Sequence, residues 1–208
     1  NEATFTVTSG GGGGGGGNSD PTITSPNSGN AYSANFAENG TGNVADVDAT
    51  DPDSDPLTYF LSGTDASDFT ININGVITFA STPDYENPAD NGGDNVYDFI
   101  VSVDDGNLGI DQQTFTITVT NVDDNNPVIS SPNSGNAYSA NYAENGTGDV
   151  ATVVASDADG TTCTYSLSGT DAADFSINSS TGVITFASTP DYENPVSYTH
   201  LRAHETSI

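Results

Sequence analysis

The sequence predicts an all-β protein built from tandem sandwich domains, and three observations support that prediction. Apolar residues alternate with polar ones in short runs such as Phe99–Val103 and Phe115–Val119, which is the period of a half-buried strand. No long run has the spacing of an amphipathic helix. A segment of roughly 100 residues, the length of one seven-stranded β-sandwich, occurs more than once.

The dominant feature of the chain is this internal repeat. The segment SPNSGNAYSAN occurs at Ser25–Asn35 and again at Ser131–Asn141, 106 residues later, and GVITFASTPDYENP occurs at Gly75–Pro88 and at Gly182–Pro195. The predicted parts of the chain are the last strand of a preceding module at 1–9, a glycine-rich linker at 10–20, module 1 at 21–126, a truncated module 2 at 127–195, and a tail at 196–208.

Module 1 contains seven predicted strands, separated by Asn-Gly, Asp-Pro and Asp-Gly pairs that are typical of turns. The first strand is split in two. The predicted strands are Thr22–Thr24 with Ala31–Phe36, Asn43–Ala49, Leu57–Leu61, Phe69–Ile73, Val76–Phe79, Val96–Val103 and Thr114–Val122. Four aromatic residues within them are predicted to lie in the core: Tyr59, Phe69, Phe79 and Phe99.

The two ends of the chain differ from the repeat. TFTVT at Thr4–Thr8 matches TFTIT at Thr114–Thr118, which indicates a final strand, and Gly10–Gly17 has the composition of a flexible linker. Residues 196–208 depart from the repeat, carry the only Arg and both His of the chain, and resemble a translated sequencing adapter. They are therefore set aside from functional reasoning. Without its last two strands, module 2 is predicted to fold poorly on its own.

Composition limits the function classes. The chain has 29 acidic residues against one Lys or Arg and a formal net charge of -28, which disfavours nucleic acid and anionic lipid surfaces. Such a surface attracts hard cations. Composition alone leaves open that the acids only keep the chain soluble. No stretch approaches the ~18 apolar residues of a membrane span. The lone Cys163 stands where module 1 has Leu57 and is interpreted as a small core residue.

The acidic residues are concentrated at the predicted strand ends. In module 1 they are Glu38, Asp51, Asp53, Asp84, Glu86, Asp104, Asp105, Asp123 and Asp124. Module 2 has Glu144, Asp157, Asp159, Asp191 and Glu193 in register. Each close pair of carboxylates costs about 1 kcal/mol even in water. A proton or a cation must offset that repulsion, and calcium takes six to eight oxygen ligands.

A family resemblance follows from the order of these motifs. The sequence AEN, ATDPD, TPDYEN, VSVDDG and NVDDNNP across residues 21–127 resembles a cadherin repeat, and the first three motifs recur in module 2. The resemblance implies tandem seven-stranded Greek-key β-sandwiches of the cadherin and immunoglobulin-like kind, as in large bacterial surface adhesins. It also implies calcium binding at the module junctions, adhesion (including the homophilic kind), and an extracellular or cell-surface location.

The resemblance also implies a set of metal ligands. Glu38, Asp84 and Glu86 would lie at the far end of module 1. The linker would add Asp123, Asp124 and Asn125, and module 2 would add Asp157 and Asp159. A second site at the near end of module 1 would use Asp51, Asp53 and Asp105, but the glycine run before it keeps only Asn18 and Asp20 of the usual linker motif.

Two other functions compete with calcium-dependent adhesion. The alternative to adhesion is that the modules are inert spacers, or glycan-facing accessories, of a larger secreted enzyme. Catalysis is disfavoured because residues 1–195 contain no His, Lys or Arg, although paired carboxylates can hydrolyse glycosides. The expected partners are neighbouring modules, other cell-surface proteins or glycans. Strand exchange through a docking Trp is excluded because the chain has none.

Overall fold

The computed structural model describes residues 17–132, residues 137–193 and the backbone of 202–206. The chain divides between Thr120 and Asn121 into two compact units, here called unit 1 and unit 2. The predicted strand at 1–9 and most of the glycine linker lie outside the described residues. No helix among the described residues has the length and apolar character needed to cross a bilayer.

The described residues of unit 1 form a β-sandwich of nine strands. They are β1 (Thr22–Ile23), β2 (Ala31–Ala37), β3 (Ala45–Asp46), β4 (Ala49–Thr50), β5 (Thr58–Ser62), β6 (Phe69–Ile71), β7 (Val76–Phe79), β8 (Val96–Asp104) and β9 (Ile110–Thr120). One sheet has the order β2-β9-β8-β5, the facing strands have the order β3-β7-β6, and β1 pairs with β4. A 3₁₀ turn, Ala66–Asp68, precedes β6.

The predicted strand Asn43–Ala49 is divided into β3 and β4 because its middle changes partners. Val47 donates its N–H to the Gly75 carbonyl beside β7, whereas the Asp48 carbonyl accepts the N–H of Thr24 next to β1. The segment therefore links the β3-β7-β6 sheet to the β1-β4 pair. Sequence alternation continues through this crossing, so it predicts one strand where the backbone makes two.

The core of unit 1 lies between the two sheets. Alternate residues of β8 and β9 point inwards, and Val101, Val103 and Ile117 are fully buried. Phe69 contacts the rings of Phe79, Tyr97 and Phe99 at centroid distances of 4.5, 5.7 and 4.3 Å. Of the predicted core aromatics, Phe69 and Phe99 are buried, and Tyr59 and Phe79 pack half-buried against the core.

Unit 2 repeats part of this arrangement. Its strands are β10 (Val128–Ser131), β11 (Ala151–Thr152), β12 (Val154–Ser156), β13 (Thr164–Ser168), β14 (Phe175–Ile177), β15 (Val183–Phe186) and β16 (Arg202–Thr206). The pair β10-β12 corresponds to β1-β4, and β11-β15-β14 corresponds to β3-β7-β6. The 3₁₀ turn also recurs, at Ala172–Asp174. Cys163 is half-buried, as Leu57 is at the equivalent position.

Part of the tail at 196–208 forms a strand of unit 2. Strand β16, within the segment set aside as a tail, pairs antiparallel with β13 in the register in which β8 pairs with β5. It thus takes the place of Ile100–Asp104. The hydrogen bonds of a β-ladder are made by backbone groups and depend little on side-chain type. A sequence unlike that of β8 can therefore take its place. No counterpart of β9 is present among the described residues of unit 2.

Candidate metal centre

The entry end of unit 1, where Gly17 leads into the sandwich, carries a group of three carboxylates. One oxygen from each of Asp51, Asp53 and Asp55 lies within 4.8 Å of the others. The loop folds around Asp51, whose Oδ1 accepts the N–H groups of Asp53 (2.8 Å) and Asp55 (3.1 Å). The other oxygen of Asp51, Oδ2, is buried and accepts no hydrogen bond from the described residues.

Asp105 lies at the same end but has a different environment. It is 3 % exposed, and its Oδ1 accepts the N–H groups of Asn107 (2.6 Å) and Gly109 (3.0 Å). Its Oδ2 accepts the side-chain amide of Asn18 at 2.7 Å. The hydrogen bond from the Asn18 amide is the main cause that lowers the pKa of Asp105, and the backbone N–H groups lower it further. Burial acts in the opposite direction but is outweighed. Asp105 is therefore held as a carboxylate.

The entry end of unit 2 has the equivalent arrangement. One oxygen from each of Asp123, Asp157 and Asp159 lies within 4.8 Å of the others. Asp157 Oδ1 accepts the Asp159 N–H at 3.0 Å, and Asp157 Oδ2 is buried without a donor among the described residues, as Asp51 Oδ2 is. Desolvation, and then the negative charges of Asp157 and Asp159, raise the pKa of Asp123.

The linker at the start of unit 2 is fixed to Asp159. Asp159 Oδ2 accepts the N–H groups of Asp124 (3.1 Å) and Asn125 (2.7 Å), and the Asn125 side chain donates to Asp159 Oδ1 at 3.1 Å. Unit 1 has the counterpart of the Asn125 backbone bond, because Ser19 N–H donates to Asp53 Oδ2 at 2.7 Å. Both entry ends therefore hold the incoming chain in the same way.

The exit end of unit 1, where β9 finishes, carries Glu38, Asp84 and Glu86. Glu38 follows β2 directly; it is 3 % exposed, donates its N–H to the Thr120 carbonyl at 3.0 Å, and accepts the Tyr85 N–H at 2.8 Å. One oxygen of Glu38 lies within 4.8 Å of one of Glu86. Asp84 Oδ1 accepts the N–H groups of Glu86 and Asn87, both at 3.1 Å, and so shapes the loop.

The same motif in unit 2 forms a more open group. One oxygen from each of Glu144, Asp191 and Glu193 lies within 4.8 Å of the others, and all three residues are exposed. The loop geometry is nevertheless conserved between the repeats, because Tyr192 donates to Glu144 Oε2 and Glu193 donates to Asp191 Oδ1. The main difference between the two exit-end groups is that Glu144 is exposed, whereas Glu38 is buried.

These placements can be set against the residues chosen from sequence. Asp51 and Asp53 lie together, as do Asp123, Asp157 and Asp159, while Asp124 and Asn125 contact Asp159. Asp105 and Asp84 fall outside the close carboxylate groups among the described residues. Asp55 was not among the ligands chosen from sequence, yet it completes the group with Asp51 and Asp53. The alternating spacing of Asp51, Asp53 and Asp55 in one turn was the available signal.

A different set of acids serves the fold. Asp65 and Asp90 are buried at 4 % and 6 % exposure, and their carboxylates accept backbone N–H groups from the loop before β8, including those of Asn91, Asp94 and Asn95. Burial, and then the charges of Asp65 and Asp90, raise the pKa of nearby Asp68. Because backbone donors satisfy the carboxylates of Asp65 and Asp90, these two acids need no cation.

The entry-end groups have the chemistry of a hard-cation site. Carboxylate oxygens are the ligands calcium prefers, and one oxygen in each group is desolvated without a hydrogen bond. Burying a charged oxygen in this way is unfavourable unless a counter-charge is present. With one Lys or Arg in the whole chain, that counter-charge has to come from outside the polypeptide. The residues present therefore fit a bound divalent ion.

Solved structures with a similar fold come from several animals. The chain aligns with mouse Cadherin-23 EC22-24 (TM-score 0.68, 23% identity, 91% of this chain and 65% of that one). It also aligns with Drosophila N-cadherin EC1-4 (TM-score 0.74, 23% identity, 92% of this chain and 46% of that one). A third match is human Protocadherin-24 EC1-2 (TM-score 0.63, 23% identity, 91% of this chain and 94% of that one). The chain thus spans about two thirds of the first structure and about half of the second. No protein-family model and no curated protein sequence matches it. The structural likeness confirms the β-sandwich fold that the motifs predict.

Proposed function

We propose, from the premise that this chain consists of cadherin-like repeats, that its acidic strand ends bind calcium and thereby stiffen the junctions of an extracellular adhesion protein. The premise rests on the fold shared with the cadherin structures. The calcium, the stiffening and the adhesive role are the proposal. The chain itself then acts by holding its neighbours in line, and no catalytic step is assigned to it.

A pair of buried oxygens carries this proposal. Asp51 Oδ2 and Asp157 Oδ2 occupy equivalent positions in two separate units, and neither has a hydrogen-bond donor among the described residues. The loop bond beside each orphaned oxygen is also the same, since Asp51 Oδ1 accepts the Asp53 N–H and Asp157 Oδ1 accepts the Asp159 N–H. Each orphaned oxygen lies in a group of three carboxylates, where a divalent ion would supply the missing partner and cancel the mutual repulsion.

The junction between the units is where an ion would have its largest mechanical effect. In the proposed arrangement Glu38, Asp84 and Glu86 of unit 1 join Asp123, Asp124 and Asn125 of the linker and Asp157 and Asp159 of unit 2 around shared ions. Burial of Glu38 and the bonds from the linker to Asp159 support this, because they preorganise ligands on each side. Ordering the linker costs about 1–2 kcal/mol per residue, which coordination must exceed.

The proposed affinity fits an extracellular location. Calcium modules outside the cell bind at roughly 10⁻⁴–10⁻³ M, concentrations met in extracellular fluids and not in cytosol. A site of this affinity is filled only where the protein is displayed or secreted. Neighbouring modules are the immediate partners, and other cell-surface proteins or glycans are the partners of the assembled array.

Calorimetric titration of the full chain with calcium tests the metal sites. Asp51→Asn and Asp157→Asn should each abolish or weaken binding at one entry end by about tenfold or more, since each removes one charged ligand. Asp149→Asn is the matched control. It makes the same change in charge at an exposed position where module 1 has Asn43, and it should bind like the parent chain. Magnesium in place of calcium should bind much more weakly. Absence of calcium binding at millimolar concentration would refute the proposal.

Small-angle scattering tests the junction separately. Calcium should increase the radius of gyration of the full chain and narrow its distribution of dimensions, as a linker loses freedom. Glu86→Gln should reduce that response while leaving the Asp51 site intact. If calcium binds but the dimensions do not change, binding stands and the stiffening role does not.

A further inference from the structure

The sequence contains four Asn-Gly pairs, and the structure places one of them differently from the others. They are Asn39-Gly40, Asn74-Gly75, Asn91-Gly92 and Asn145-Gly146. In an Asn-Gly pair the glycine nitrogen reaches the asparagine side chain with little hindrance, because glycine has no side chain of its own. Attack by that nitrogen removes the side-chain amide. Which pair reacts in the folded protein therefore depends on what holds the glycine N–H.

In three of the pairs the glycine N–H closes a turn by donating to the carbonyl three residues earlier. These bonds join Gly40 to Ala37 (3.2 Å), Gly75 to Asn72 (3.0 Å) and Gly146 to Ala143 (3.2 Å). Each of these glycines is thus the last residue of its turn. Its nitrogen has to leave that hydrogen bond before it can lose its proton and attack.

The pair Asn91-Gly92 lies in the middle of its turn instead. Here the next residue, Gly93, donates to the Asp90 carbonyl at 3.2 Å and closes the turn. The Gly92 N–H has no acceptor in the described part of the chain, and the Asn91 side chain has no hydrogen-bond partner there. Both residues are exposed. The nitrogen and the side chain of this pair are therefore held back by nothing but the turn itself.

The fold also keeps glycine at this position. A Cβ added to Gly92 would lie 3.2 Å from both Asp90 Oδ2 and Asp94 Oδ1. That separation is shorter than an ordinary van der Waals contact. Charge does not distinguish the pair, because three of the four asparagines directly follow an acidic residue. The position of the glycine in its turn is what sets Asn91 apart.

We propose that Asn91 is a site of spontaneous modification, at which the Gly92 nitrogen displaces the side-chain amide and an isoaspartate results. The deprotonated Gly92 nitrogen bonds to Asn91 Cγ, and the Cγ–Nδ2 bond breaks with release of ammonia. Water then opens the succinimide ring at either of its carbonyls, which leaves aspartate or isoaspartate in the chain. Hydroxide and water are the co-reactants, and nothing is oxidised or reduced.

The loop around Asn91 is fastened in a way that makes this change costly. The Asn91 N–H donates to buried Asp65 Oδ1 at 2.9 Å. The two oxygens of buried Asp90 accept the N–H groups of Asp94 (3.1 Å) and Asn95 (3.0 Å). An isoaspartate adds one carbon atom to the main chain inside the ring that Asp90 closes. These bonds then cannot all be kept, and a buried carboxylate that loses its donor destabilises unit 1.

Ageing of the folded full chain in excess chelator tests the site, because bound calcium then protects none of the pairs. Cleavage after Glu separates Asn91 from the other asparagines. It yields peptides 39–86 with Asn39 and Asn74, 87–144 with Asn91, and 145–193 with Asn145. Asn91 should convert about tenfold faster than the others, whose glycine N–H must first leave a hydrogen bond. In urea, where the turns are lost, all four should convert at similar rates.

Two glutamine variants isolate the reaction at this position. Asn91→Gln should remove the isoaspartate from peptide 87–144, as detected by an isoaspartyl methyltransferase, because the longer side chain would have to close a larger ring. Asn74→Gln is the matched control and should leave the conversion of Asn91 unchanged. The aged parent should melt at a lower temperature than the fresh parent. Aged Asn91→Gln should melt like its own fresh sample.

The inference has two parts, and each can be overturned. Equal conversion of the four pairs in the folded chain would overturn the choice of Asn91. So would an aged folded chain that keeps Asn91 intact while the unfolded chain loses it. Isoaspartate at Asn91 without a fall in melting temperature would overturn the effect on unit 1.

Discussion

The two units contain the same segment in two different states. Residues 31–37 (AYSANFA) and 137–143 (AYSANYA) differ only at Phe36 and Tyr142, yet the first forms strand β2 and the second is not assigned to a strand. In unit 1 the segment pairs with β9 over its whole length. In unit 2 that partner is missing from the described residues. The comparison shows that this sequence becomes a strand through its neighbour and not through its own propensity.

Burial changes along with pairing. Thirteen hydrophobic residues form the buried core of unit 1, whereas Val153 and Ile184 are the buried hydrophobic residues among those described in unit 2. Glu38 is buried and Glu144 is exposed. The local turns, by contrast, are the same in both units. The sequence of each repeat is thus enough to determine its turns. Full burial of the core also needs the last two strands of the sandwich.

Replacing residues 196–208 with the unit 1 sequence Ala89–Asn126 should remove the difference between the units. The graft supplies counterparts of β8 and β9, so unit 2 should gain stability towards the roughly 5–15 kcal/mol of an intact domain. Hydrogen exchange should then protect residues 138–143 as strongly as 31–37. A scrambled graft of equal length is the control. Continued fast exchange at 138–143 in the true graft would contradict the comparison.

Equivalent core substitutions should show the difference directly. Phe69→Ala should cost unit 1 about 3–5 kcal/mol, because Phe69 is 5% exposed and contacts three rings. Phe175→Ala, at the same position of unit 2, should cost less than half of that, because Phe175 is only half-buried. Exchange-monitored urea unfolding measures each unit separately. Equal costs would mean that the core of unit 2 is as closed as that of unit 1.

Glycine substitutions should instead show what the units share. Gly75 and Gly182 have φ of 77° and 69°, and an added Cβ would collide with the carbonyl oxygens of Val47 and Val153 respectively. Gly75→Ala and Gly182→Ala should each cost roughly 2–4 kcal/mol in their own unit. Gly93→Ala has a similar φ of 65° but open space around the Cβ, so it should cost about 1–2 kcal/mol. The same unfolding assay applies to all three.

The smallest expected effect is on pH dependence at the entry end of unit 2. The pKa of Asp123 is raised above its ordinary 3.8 by desolvation and by Asp157 and Asp159, so the folded state binds the proton more tightly than the unfolded state does. Without calcium, unit 2 should lose stability as the pH rises from 3.8 through that raised pKa. Asp123→Asn should remove this loss, and Asp149→Asn should not. Denaturation in chelator between pH 3.5 and 7 provides the measurement.

Much of the fold was predictable because its signals are local or repeated. Alternation in β8 and β9 and the two copies of the repeat predict the sandwich. The division of Asn43–Ala49 into β3 and β4 was not predictable, since it depends on the tertiary partners Gly75 and Thr24. Strand β16 was not predictable either. At the register positions of Val101 and Val103 the tail has Ala203 and Glu205, so its sequence carries no core pattern.

The types of residue in the candidate site were predictable from the sequence. Which of their carboxylates lie close together was less predictable. Motif order selects Asp51, Asp53, Asp157 and Asp159, all of which lie in close carboxylate groups. It also selects Asp105, whose oxygens are occupied by Asn18 and by loop N–H groups. Sequence spacing does not reveal which carboxylate oxygens have backbone donors, because that depends on the conformation of each loop. For the same reason the buried Oδ2 atoms of Asp51 and Asp157 became apparent only in the structure.

The parallel pairing of β2 with β9 has a consequence for how unit 1 responds to pulling. Traction on the two ends of the unit draws the start of β2 and the end of β9 in opposite directions along a shared axis. All seven residue pairs from Ala31–Thr114 to Ala37–Thr120 are then loaded in shear at once, instead of opening one after another. Under such a load the β2-β9 ladder is expected to yield only when all of its pairs break together.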